Sequence, residues 1–265
     1  MALACSLSAF RTTLDEGLAE VARLGFEHVD LIAIPQWDHV GPAALGRDAD
    51  AEADRTAALL ERYGLTPVAM NVGVPALYDR SDEASEERTR QVDGVARFMN
   101  RLGIGIASFY PGYKVEDRPE WEVIADMAET LHGMLAVAGS TGVTFAVEPH
   151  FATPLESLQG SLALLAALPG LGVAYDPSHF AMQEIPLEDT APLLDRTVHV
   201  HLRDAAPGRM QEEFGRGTVD FEWLLGALRE RGYGGHCSLE LLPTDDDDAS
   251  ERVAAAARAL RPLVG

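Results

Sequence analysis

Four strand-like runs in the second half of the sequence each end on a residue able to bind a metal or move a proton. They are VTFAVEPH (143–150), GVAYDPSH (172–179), TVHVHLRD (197–204) and HCSLELL (236–242). Side chains alternate across a strand, so Ala146/Glu148, Ala174/Asp176, His199/His201 and Ser238/Glu240 each share a face. Three of those faces pair a small residue with a carboxylate one step further along, which suits a crowded interior opening into a polar mouth. Glu148, Asp176, His201 and Glu240 together make an oxygen-rich donor set. Such a set suits one divalent ion, Mn²⁺, Mg²⁺, Co²⁺ or Zn²⁺, and does not resemble a thiolate-rich structural zinc site. Three like charges left alone in a buried mouth would be costly, and a divalent cation removes that cost.

The elements that must position these residues alternate along the whole chain of 265 residues. Apolar runs predict strands at Leu3–Leu7, His28–Ile34, Thr66–Val72 and Ile104–Tyr110, then at the four stretches above. Helical spacing predicts helices at Thr12–Leu24, Ala49–Tyr63, Asp82–Leu102, Glu120–Ala138, Pro154–Leu168, Leu187–Leu194, Phe221–Arg231 and Asp245–Leu260. Gly25, Gly64, Gly103, Gly139 and Gly232 punctuate the helix ends. Eight short buried strands, each followed by a helix, predict an α/β fold, a single (β/α)8 TIM barrel occupying 1–265 as one domain. A doubly wound open sheet is the rival, and it rarely needs eight units. In such a barrel the active site lies at the C-terminal strand ends, where the four residues fall on consecutive strands about 5 Å apart.

Bulk properties narrow the partners. The net charge is −21, from 42 acidic and 21 basic residues, and that field repels polyanions. No nucleic-acid partner is expected. No window approaches 18 uninterrupted apolar residues, and MALACSLSAF lacks the basic and apolar regions of a signal peptide. These features predict a cytoplasmic protein without a membrane partner. Cys5 and Cys237 are too few for a disulfide framework and read as buried free thiols. The acidic run Asp245–Asp248 reads as the N-terminus of the last helix, where negative charge suits the dipole. Lys114, the only lysine, lies in a loop where a solvated charge is expected, not inside a strand where a Schiff-base lysine would sit.

The sequence resembles the xylose-isomerase-like TIM barrels, which include sugar isomerases, ketose 3-epimerases, inosose dehydratases and type IV apurinic endonucleases. The resemblance rests on EPH at 148–150, the D-x-x-H of Asp176–His179, HVHLRD at 199–204, GRGTVDF at 215–221 and SLELL at 238–242. It implies that Glu148, Asp176, His201 and Glu240 are the metal ligands, and that His179 faces the substrate or stands just behind the metal. It also implies a small sugar or cyclitol substrate and self-association into a homo-oligomer. By position Glu148 and Glu240 would be the catalytic pair of an isomerase or epimerase. One would remove a proton next to a carbonyl and the other return it on the opposite face, with the metal stabilising the enediolate.

Departures from the family pattern matter. The epimerases follow their first glutamate with an Asn-Arg-aromatic-Glu stretch, whereas this chain has Pro149-His150-Phe151-Ala152. The endonucleases need further histidines at early strand ends, where this chain offers Asn71, Ser108 and Tyr110. Two alternatives to the isomerase therefore stay in view. One is a lyase that dehydrates a keto-sugar or keto-cyclitol, with His179 or His150 as acid. The other is a barrel that binds metal or sugar without turnover, or a subunit of a larger enzyme.

Further residues have two readings each. The turn at Pro149 points His150 into the mouth. Arg209 and Arg216, in the Gly-rich loop after strand seven, either hold a substrate carboxylate, phosphate or hydroxyl or are solvated surface charges. Trp37 and His39, after strand two, form an aromatic wall against the sugar or pack as ordinary loop residues. His199 lies one layer deeper than His201 and reads as a hydrogen-bonded core histidine.

Overall fold

The computed structural model describes residues 1–35, 37, 39–244 and 248–265. Among them eight strands pair in parallel, each with its neighbours in sequence: β1 (Ala2–Ser6), β2 (His28–Ala33), β3 (Thr66–Val72), β4 (Ile106–Phe109), β5 (Thr144–Val147), β6 (Gly172–Tyr175), β7 (Thr197–Leu202) and β8 (His236–Leu239). β8 returns to β1 with Ala2 opposite His236 and Cys5 opposite Leu239, which closes the barrel. The chain is thus a (β/α)8 TIM barrel.

The crossovers carry α1 (Leu14–Arg23), α2 (Pro42–Tyr63), α3 (Asp82–Leu102), α4 (Glu120–Thr141), α5 (Leu158–Ala167), α6 (Ser178–Ala181), α7 (Ala191–Leu194), α8 (Phe221–Glu230) and α9 (Ala249–Val264). Local chemistry sets their ends. Thr13 and Glu16 form a reciprocal capping box at the start of α1. Asp248 caps α9 by accepting from the Ser250 and Glu251 amides. The rest of the acidic run, 245–247, lies outside the described residues.

Several elements differ from the sequence expectation: α4 runs past Gly139 to Thr141 and closes on Gly142, and the expected helix over Leu187–Leu194 is a 3-10 turn up to Thr190 before α7. α2 begins at Pro42, seven residues early, because Pro at the first helical position suits a start there. A break at Asp48 (φ −154°, ψ 79°) then separates that first turn from the expected helix. α5 begins only at Leu158, where Ser157 accepts from the Gly160 amide and supplies the cap that Pro154 could not. The segment after β6 contains an additional short helix, α6, started by Asp176 Oδ1 accepting the Ser178 amide at 2.8 Å.

Outward-facing strand residues such as Cys5, Leu31, Met70, Phe109, Phe145, Val173, Val200 and Leu239 are buried under the helices. Inward-facing positions are smaller: Ala4, Ala69, Ala146, Ala174 and Ser238 are buried and leave room at one level for Asp30 and His199. That small-residue layer is the floor under the mouth. Cys5 and Cys237 are free and buried, and burial pushes the Cys237 thiol up to about 12. Among the described residues no helix is long and apolar enough to cross a membrane.

Candidate metal centre

Glu148 and Glu240 stand just past β5 and β8, Asp176 just past β6, and His201 near the end of β7. All four offer ligand atoms lying within 4.8 Å of one another. Ligands of one small divalent ion lie about 2.0–2.3 Å from it, hence within roughly 4.5 Å of each other. The donor set therefore fits a single cation with little adjustment. The four are not equally accessible. Asp176 and His201 are completely buried, whereas the side chains of Glu148 and Glu240 keep 12% and 10% of their surface and line the cleft above.

The His201 ring is held from both sides. Nδ1 lies 2.7 Å from Glu148 Oε1 and 3.4 Å from Glu240 Oε2, so it faces the carboxylates. Nε2 lies 3.3 Å from Asp30 Oδ2. An ionised carboxylate only accepts, so without a metal both ring nitrogens carry a hydrogen; Nδ1, which faces Glu148 and Glu240, is the one that would give its hydrogen up to ligate a metal while Asp30 keeps the other on Nε2. Asp30 also meets His199 Nε2 at 3.0 Å, and Ser238 Oγ lies 3.1 Å from the same nitrogen. His199 is accordingly a hydrogen-bonded core histidine. Burial would raise Asp30, but His199 and His201 hold its carboxyl below the usual range.

Arg203, two residues beyond His201 and just past the end of β7, is 1% exposed and its guanidinium joins the cluster. Its guanidinium donates to Asp176 Oδ2 and, at 2.9 Å, to Ser178 Oγ, and approaches Glu240 Oε2 to 3.6 Å. Burial together with the Glu148 carboxylate raises Glu240, against the pull of His201 and Arg203. Burial would raise Glu148 too, but His201 keeps it low. For His201, burial opposes the charge, yet Glu240, Glu148 and Asp30 together raise it well above the ordinary imidazole range.

Two expectations follow. A metal must displace protons held by His201 and Glu240, so its affinity should fall steadily as pH drops from neutral into mild acid. Calorimetric titration of Mn²⁺ in buffers of different ionisation enthalpy should show proton release, and a pH-independent affinity would refute it. Secondly, Asp30→Asn removes the carboxylate that orients His201. Partners of this kind are worth 10- to 100-fold in metal affinity, so a loss of about that size is expected in a competition titration with a chromophoric chelator.

The remaining sequence candidates are distributed unevenly. His150 lines the cleft, its ring edge-to-face with Tyr110 at 5.5 Å and tilted over His179 at 3.8 Å between centroids. His179 itself is fully buried, with Nε2 3.1 Å from Arg203 Nη2, 3.7 Å from Asp176 and 4.0 Å from Glu148. Burial, His150 and Arg203 lower its pKa well below the imidazole range, so it stays neutral. Trp37 lines the cleft and donates through Nε1 to the Ser8 carbonyl at 3.3 Å.

Arg209 and Arg216 do not reach the cleft. They are 66% and 72% exposed and pair with Glu212 and Glu213. The reason lies in Asp204, which is buried and accepts from the amides of Ala205, Gly215 and Gly217 at 2.8–3.0 Å. The loop presents backbone to the barrel there and turns Arg209 and Arg216 out. A Cβ on Gly217 would lie 2.0 Å from Asp204 Oδ1, which explains the glycine in GRGTVDF. Lys114 is exposed and paired with Glu156.

Three further residues belong to the site, two of them not singled out in the sequence and the third, Asn71, named there only for what it lacks as a histidine. Asp30 carried a legible signal, as the one charge inside the apolar run HVDLIAI. Arg203 shares the inward parity of His199 and His201. Asn71, at the end of β3, donates to Glu240 Oε1 at 3.3 Å, a contact across the barrel mouth that spacing cannot reveal.

Comparison with known proteins places this geometry in context. The family model described as xylose isomerase-like TIM barrel matches residues 18–263. No match was found among curated proteins. Solved structures superpose closely. The apo form of 3-keto-D-glucoside 4-epimerase, YcjR, from E. coli has a TM-score of 0.78 at 18% identity, covering 99% of each chain. The IOLI protein with a binding zinc atom has 0.78 at 18%, covering 100% of this chain and 98% of that one. The D-psicose 3-epimerase of Clostridium cellulolyticum H10, solved with D-tagatose, has 0.80 at 14%, covering 100% and 99%. At these identities the likeness shows a shared fold.

Proposed function

The chain belongs to the xylose isomerase-like TIM barrel family, and from that premise we propose that residues 1–265 act as one divalent-metal-dependent sugar or cyclitol isomerase or epimerase. The observation that carries this reading is the division of labour within the quartet. Asp176 and His201 are sealed from the cleft, while Glu148 and Glu240 open into it. A purely structural ion site has no need of two ligands facing a cavity. The oxygen-rich donors suit Mn²⁺, Mg²⁺, Co²⁺ or Zn²⁺. When bound, such a cation supplies electrostatic stabilisation of negative charge developing on substrate oxygens and a template for them.

The protein's own groups do the rest. β5 and β8 lie three strands apart around the barrel, so Glu148 and Glu240 approach a substrate carbon from different directions. One takes the proton next to the carbonyl and the other returns a proton to the opposite face or to the neighbouring carbon. Asn71 orients Glu240 through its amide. His150 and Trp37 border the space left for the substrate. The sugar epimerases among the solved structures of the same fold support this reading.

The test has two parts. Elemental analysis of wild type and His201→Ala, purified without chelator, should find about one Mn, Mg, Co or Zn per chain, lost in the variant. The metal-loaded protein should then exchange solvent deuterium into a ketose or keto-cyclitol. Exchange accompanied by loss of water would move the assignment to the dehydratase. A barrel that takes up neither metal nor deuterium would be a non-catalytic one.

A further inference from the structure

The cleft above the quartet encloses about 720 Å³, well within the range of pockets that take drug-sized ligands. Its two ends differ in kind. The inner end is polar, formed by Glu148, Glu240, Arg203, Asn71 and Ser108. The outer wall, from the loops after β2, β3, β7 and β8, is aliphatic and aromatic: Ile34, Val74, Pro75, Tyr78, Met210 and Leu242. From the rim inward runs a chain of rings. Tyr113, 67% exposed, meets Tyr110 edge-to-face at 5.9 Å, and Tyr110 meets His150 at 5.5 Å.

We propose that this outer wall is a subsite for a flat apolar group carried by the substrate, an aryl aglycone attached to the ring handled at the inner end. The assignment rests on the proposed isomerase or epimerase reading for the inner end alone. A sugar ring buried against the aliphatic part of the wall would leave the hydroxyls facing it unmatched, and a buried hydroxyl without a partner is disfavoured. Among the described residues lining the outer end, the polar side-chain groups are Arg11, Gln91, Ser8 and the hydroxyls of Tyr78, Tyr110 and Tyr113, against the aliphatic run of Ile34, Val74, Pro75, Met210 and Leu242. An aromatic group needs no such partners and gains from offset or edge contacts with Trp37, Tyr110 and Tyr113. The wall is continuous with the carboxylates, so one molecule can occupy both ends.

The probes are methyl and phenyl β-D-glucopyranoside, with cellobiose as a second-sugar control, titrated into the metal-loaded protein. Burying the phenyl ring should tighten binding roughly 10- to 100-fold over the methyl glycoside. It should also change tryptophan emission, and Trp37→Phe should remove that change. In Val74→Asn, checked for normal metal uptake, the phenyl-to-methyl ratio should fall towards one. Equal affinities, no binding by any probe, or cellobiose binding more tightly than the phenyl glycoside would overturn the subsite. Deuterium exchange into free ketoses without a phenyl advantage leaves the reaction standing and removes the subsite. A phenyl advantage without exchange into any substrate does the reverse.

Discussion

Glu148→Gln and Glu240→Gln should each slow solvent-deuterium exchange into substrate by about 10²- to 10⁴-fold, the usual worth of a positioned general acid or base. The amide keeps the size of the carboxylate and one oxygen able to ligate, so the barrel should melt cooperatively and still take up some metal. What it loses is the ability to accept a proton. Exchange per metal-loaded chain, followed by NMR, separates this loss from a simple loss of metal. The two losses should not add in the double variant, because removing either base already stops the proton transfer. Full exchange in both single variants would end the two-base reading.

The largest stability effect is expected at Arg203. Its charge is fully buried among Asp176, Glu240 and Glu148. Arg203→Met fits a side chain of similar length but leaves those carboxylates with His201 as their remaining close cation. Removing one partner from a buried ion pair typically costs about 3–5 kcal/mol. For a chain of this size that is a fall in Tm of roughly 6–20 °C in the presence of chelator. Added Mn²⁺ should restore much of the loss, giving a larger metal-induced rise in Tm than in wild type. A variant that melts in chelator within about 2 °C of wild type would show that Arg203 is not the counter-charge.

The barrel and the converging strand ends were legible in the sequence for one physical reason: side-chain alternation. Once Ala146, Ala174 and Ser238 are placed inward, Glu148, Asp176 and Glu240 must follow on the same face. The partners of those groups were not legible, because they come from across the barrel. Asp30 and His199 are 169 residues apart, and nothing local says that β2 and β7 face one another at that level. Which of the two readings of Arg209 and Arg216 applies was not legible locally either: Asp204 gathers the loop's amides inward and leaves these two side chains outside. The short helix α6 escaped because four residues carry no periodicity, although it is what sets His179 beneath His150.

Arg203 has a consequence for the proposed metal site. Three carboxylates with His201 and Arg203 set among them are already close to electrically balanced, so the barrel would not need an ion in order to fold. On that reading metal would bind after folding and exchange freely, and occupancy would follow whichever divalent ion the surroundings supply.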